Sequence, residues 1–166
     1  MLYLIGTIVG VVTVIFLGIQ LRQKVRTDHA KYVAEMMDKT RSNPVMLKLF
    51  TMLDYQKFKY DTSFHDSEIE RVVDNLLHHY EYILYLKERK MLKKDEFRFF
   101  EYNIQRIIGN YEIQNYLFNL YHFKKNNNLS FKYKRLLNYG KKNGLIDSEE
   151  IEKKNSYKYK KVLSLY

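Results

Sequence analysis

This chain has 166 residues and a net charge of +10, with a single proline, six glycines and no cysteine. That length fits one modest domain plus an anchor rather than two soluble cores. The missing cysteines exclude a disulfide scaffold, a thiolate zinc site and a cysteine nucleophile, and scarce breakers among Leu, Ile, Tyr, Phe, Lys and Glu at helical spacing predict an all-α fold.

In chain order, Leu2 to Leu21 comes first and carries no charged residue. About 20 residues at about 1.5 Å rise span a hydrocarbon core of about 30 Å, so the segment predicts an N-terminal transmembrane helix over residues 1–21. It has no basic residues before it and no small-residue cleavage pattern before Arg22, which points to an anchor rather than a cleaved signal. Arg22, Lys24 and Arg26 follow at once, and the positive-inside rule then puts the N-terminus outside and the bulk of the chain in the cytoplasm. The expected location is the bacterial inner membrane. Projected at about 100° per residue, Gly6, Gly10, Thr13, Leu17 and Gln20 form one stripe, with Gly6 and Gly10 as a G-x-x-x-G pair. Lipid is as apolar as leucine, so small residues gathered on one side imply close helix contact, in a homo-oligomer whose extreme form is a ring around a pore.

Residues 22–41 continue as a juxtamembrane stalk helix, on a loose repeat of Val25, Tyr32, Val33, Met36 and Met37. A cytoplasmic helical bundle over 42–155 follows. Ser42-Asn43-Pro44 reads as a cap with proline in the first turn, opening a short helix to about Tyr55. Residues 56–65 read as a linker. Asp66-Ser67-Glu68 starts a third helix that runs to about Lys90. A fourth spans about Asp95 to Phe123, with Phe97, Phe100, Ile104, Ile107, Ile108, Tyr111, Leu117, Phe118 and Tyr121 as its apolar stripe, and it pairs with the third to form the core. A turn at Lys124 to Asn128 leads to a fifth helix capped by Ser130 and ending near Gly144. Asp147-Ser148-Glu149-Glu150 is a capping box for a short last helix, and residues 156–166 are a C-terminal tail.

Charge is unevenly distributed. Residues 22–60 carry nine basic and four acidic groups, residues 61–123 eight and eleven, and residues 124–166 twelve and four. The basic end, with Lys124, Lys125, Lys132, Lys134, Arg135, Lys141 and Lys142 interleaved with Phe131, Tyr133 and Tyr139, suits nucleic acid, anionic lipid heads or plain solvent.

On the third helix, Arg71 and His78 stand seven residues apart, two turns along one face, with Asp74 and Asn75 between them. A histidine serves as general acid or base and an arginine holds phosphate, so Arg71, Asn75 and His78 are the candidate catalytic set for RNA cleavage through its own 2′-hydroxyl. A solvated polar face is the alternative. His29, His65, His79 and His122 lack metal-ligand spacing and read as structural, and no metal or cofactor is expected.

The span Leu2 to Leu21, the juxtamembrane Arg22 to Arg26, the compact helical body and the Arg71 to His78 spacing, which matches the R-x4-6-H pattern of HEPN ribonucleases, together resemble one family. It is the small membrane-anchored, HEPN-like accessory protein of type VI-B CRISPR systems. The resemblance rests on length and layout. It implies a homo-oligomeric membrane pore that enhances RNA-guided anti-phage defence, with itself and membrane lipid as partners, and RNA or an RNA-guided effector as an indirect one. Under that reading the Gly6, Gly10 and Thr13 stripe is packing or pore surface. The alternatives are a membrane-tethered HEPN-type ribonuclease and a non-catalytic tether.

Overall fold

The computed structural model describes residues 2–65, 67–147 and 149, with side chains described from Thr13 onward. Within them every regular element is a helix: α1 (Leu2–Arg41), α2 (Pro44–Asp54), α3 (Glu68–Glu88), α4 (Lys94–Ile108), α5 (Tyr111–Asn126) and α6 (Lys134–Lys142). The chain divides into two compact units, Met1–Lys39 and Thr40–Tyr166.

The first unit is helical, without a break at the expected end of the span. Val14, Ile15, Phe16, Leu17, Ile19 and Leu21 are all between 51% and 69% exposed, and a side chain placed on Gly18 would meet nothing within 4 Å. Among the described residues no helix is long and apolar enough to cross a membrane; the first half of the expected span, with Gly6 and Gly10, lies outside the residues whose side chains are described. Beyond the apolar stretch charged side chains share the helix surface with exposed Val25 and Tyr32, and Lys31 pairs with Glu35 one turn on at 3.9 Å.

In the second unit α3 is the hub, packed against α2, α4 and α6, while α4 also meets α5 and α6. Its inward stripe of Val73, Leu76, Leu77, Tyr80, Ile83 and Leu84 is buried, as an apolar 3.6-residue period requires. Asn43 caps α2, its side-chain oxygen accepting from Val45 N at 3.0 Å and Met46 N at 3.2 Å, and Ser67 caps α3 by accepting from Glu70 N at 3.1 Å.

Four expectations need correction. The single fourth helix is two, α4 and α5, because Gly109 ends the first and Asn110 caps the second, accepting from Glu112 N at 3.0 Å and Ile113 N at 3.2 Å. The turn expected at Lys124 starts later, since α5 continues to Asn126 and keeps Lys124 and Lys125 in its last turn, where its dipole favours cations.

The helix expected from Ser130 begins only at Lys134, and no local side chain caps it. Glu81 of α3 does so instead, its buried carboxylate accepting from Arg135 N at 3.1 Å and Leu136 N at 2.9 Å. Residues 56–65 are no passive linker, for Phe58 and Phe64 are 1% and 4% exposed and meet edge to face at 5.7 Å. The capping box at 147–150 and the tail fall largely outside the described residues.

Candidate functional site

Two adjoining hollows flank the first half of α3. The helical period that buries Val73, Leu76 and Leu77 sends Arg71, Asn75 and His78 to solvent, and these three line one open hollow of about 430 Å³ together with Asp74 and Lys132. The structure thus brings the three candidate catalytic residues together and adds Lys132, from the segment before α6. Among the described residues, no side-chain hydrogen bond or ion pair restrains Arg71, Asn75 or His78.

The second hollow, of about 230 Å³, is lined by Tyr60, His65, Glu70, Tyr116, Asn119, Leu120, Phe123 and Lys124, and it shares Asp74 with the first. A directed hydrogen-bond chain runs along its wall. The Glu70 carboxylate faces His65 Nδ1 at 3.0 Å and can only accept, so Nδ1 carries the proton. His65 Nε2 then accepts from the Tyr60 hydroxyl at 3.3 Å. Asn119 Nδ2 donates in turn to the Tyr60 oxygen. By sequence His65 reads as structural, because its partners at 60 and 70 sit on a loop and a helix start that share no common period.

Between the hollows, Asp74 Oδ1 accepts from the Tyr116 hydroxyl at 2.8 Å and the Tyr133 hydroxyl at 3.0 Å. Burial first, then the Asp74 charge, pushes both phenols well above their ordinary range. Burial likewise pushes Tyr80 up to about 12, against smaller lowering by hydrogen bonds to Thr40 and Asn103.

The fold keeps these phenols neutral, so their contribution to stability is full below the ordinary value near 10; that of Tyr80 is lost as pH rises through about 12, and those of Tyr116 and Tyr133 at still higher pH. In an alkaline titration followed by tyrosinate absorbance and circular dichroism, the buried phenols are expected to ionise late, Tyr80 only near about 12, together with helix loss. One step near ~10 with the helices intact would contradict this placement.

The basic end is not one continuous patch of free cations. Arg135 is held by Glu81 at 3.2 Å and Glu88 at 2.7 Å and lies 5.1 Å from the Tyr85 ring centre, so it ties α6 to α3. Lys124 and Lys132 line the two hollows, Lys125 lies 5.9 Å from the Tyr121 ring, and Lys134, Lys141 and Lys142 are exposed. Arg135, of the seven cations expected to form a basic surface, is thus paired with two carboxylates.

Compared with protein-family models, with curated proteins and with solved structures, the chain matches none. What the site can do follows from its chemistry. The first hollow gathers an arginine, a lysine and a histidine without competing bonds to the arginine or the histidine, which suits phosphate and proton transfer beside it. The second offers aromatic walls and hydrogen-bond acceptors. Among the described residues no group of His, Asp and Glu is arranged to hold a metal ion.

Proposed function

We propose that this chain is a single-pass membrane protein that self-associates through its N-terminal helix and holds a basic helical domain at the cytoplasmic face. We assign it the role of a pore or membrane effector that enhances RNA-guided anti-phage defence. One observation carries the membrane part. Leu2 to Leu21 holds no charge, and within its described portion six large apolar side chains are each at least half exposed. A helical stretch with no charge on any face and large apolar side chains exposed needs a cover, and a bilayer with neighbouring copies supplies it. Arg22, Lys24 and Arg26 support the orientation, and the layout of the chain supports the defence role.

Membrane residence has a direct test. The full chain is expected in the carbonate-resistant membrane fraction, and Val12→Arg, costing about 3 kcal/mol at the middle of a span, is expected to shift most of it to the soluble or aggregated fraction. Full release of the unaltered chain by carbonate would overturn the reading.

The gathering of Arg71, His78 and Lys132 around one hollow favours a second reading, a membrane-tethered HEPN-type ribonuclease. His78 would take the proton from a 2′-hydroxyl while Arg71 and Lys132 hold the phosphate. His78→Ala is then expected to lower RNA cleavage by about 100-fold or more; cleavage indifferent to that change removes this reading.

A further inference from the structure

Glu70 and Arg71 are neighbours on α3, yet they line different hollows, and Asp74 is the wall between them. The hollow on the Glu70 side, about 230 Å³, falls below the about 300–1,000 Å³ of sites that enclose whole drug-sized ligands, so it takes a group of about one ring system. Tyr60, Tyr116, Leu120 and Phe123 give it flat or apolar walls. Asn119 lines it, is 2% exposed and donates through Nδ2 to Tyr60. Its Oδ1 is, among the described residues, the buried side-chain atom with no hydrogen-bond partner. Such an acceptor carries a desolvation penalty, which a donor on a bound ligand would remove once the buried Asn119 amide turns toward the hollow.

Three ligand classes compete for this space. A bare anion would leave Asn119 Oδ1 unsatisfied and the aromatic walls unused. A simple amine suits the Glu70 and Asp74 carboxylates that also line this hollow, but would leave its aromatic walls and the cations of the neighbouring hollow unused. A flat ring with N–H donors at one end and an anionic group at the other fits both hollows, because Arg71 and Lys132 lie just across Asp74. Aromatic walls with hydrogen bonds to the base edge are the usual means of holding an unstacked base.

We infer that the two hollows together bind one nucleotide unit, its base against Tyr60, Tyr116 and Phe123 with an N–H donated to Asn119 Oδ1, and its phosphate on Arg71 and Lys132. The source is either a free nucleotide or a single nucleic-acid strand. This site needs neither membrane insertion nor cleavage, so its failure and theirs are read separately.

The test is calorimetric titration of the full chain in detergent with the four ribonucleoside monophosphates, their parent nucleosides, ribose 5-phosphate and a single-stranded RNA of about ten nucleotides. At least one monophosphate, or the strand, is expected to bind with Kd below about 1 mM. A nucleoside without phosphate is expected to bind about tenfold more weakly than its monophosphate, Arg71→Ala to remove that advantage, and Asn119→Leu to weaken both. Monophosphate affinity equal to the strand's identifies a free nucleotide as the source, and a strand bound more than about tenfold tighter identifies nucleic acid; either supports the site.

It is overturned if nothing binds, if ribose 5-phosphate matches the nucleotides, or if folded Asn119→Leu keeps full affinity. Should Asn119→Leu fail to fold, exposed Arg71 decides. Unchanged affinity for the bound monophosphate or strand in Arg71→Ala overturns the site.

Discussion

Glu81→Ala is expected to lower the stability of the helical domain by about 3 kcal/mol, a fall in Tm of roughly 10 °C in a thermal melt followed by circular dichroism. The Glu81 side chain is 9% exposed and lies against α6, whose first N–H groups have no cap of their own. It accepts from the backbone N–H of Arg135 and Leu136 and from the Arg135 guanidinium at 3.2 Å. Truncation leaves one buried and one half-buried donor unsatisfied and removes one of two carboxylates from Arg135, which keeps Glu88 at 2.7 Å. Glu81→Gln is expected to lose about half as much, because the amide oxygen still accepts an N–H. A loss under about 1 kcal/mol in Glu81→Ala would mean that α6 does not depend on this cross-helix cap.

Gly140→Val is expected to cost about 3 kcal/mol for a different reason. A Cβ at Gly140 would stand 2.5 Å from Ile146 Cδ1 and 2.8 Å from Ile108 Cγ2. Ile108 is fully buried and Ile146 nearly so, so neither retreats without displacing the junction of α4 and α6. Gly140→Ala meets the same contacts, but regains about 1 kcal/mol of helix propensity and should cost less. Denaturant unfolding of both variants checks the order; a Gly140→Val chain as stable as the parent would contradict the packing at this corner.

These two residues also mark where sequence reasoning stops. The starts of α2 and α3 are legible, because Asn43 with Pro44 and Ser67 with its acidic first turn are local signals for local bonds. Glu81 is not, since a carboxylate on a helix reads as solvent-facing until a second helix, 54 residues away, brings its N–H groups to it. Gly109-Asn110 did carry a local signal, a helix stop followed by a cap, but the apolar stripe on either side of it keeps phase and reads as one long helix.

The site divides in the same way. Arg71, Asn75 and His78 are visible together because one helix spaces them, and the structure places them around one hollow. Tyr60, His65 and Glu70 meet through a folded loop, where no period applies, and Asn119 reaches them from α5. Lys132 and Arg135 lie three residues apart on a basic run, yet one lines an anion-suited hollow and the other is neutralised by Glu81 and Glu88. Net charge along the sequence cannot separate them, since the separation is made by acidic partners elsewhere in the fold.

Whether the N-terminal helix self-associates in a membrane is decided by the mass of the full chain in detergent. The expected result is one discrete homo-oligomer, of about six or more subunits if it encloses a pore, which Gly10→Leu disperses by blocking close helix approach. A monomer at every protein concentration, or an assembly of unchanged mass in Gly10→Leu, would contradict it.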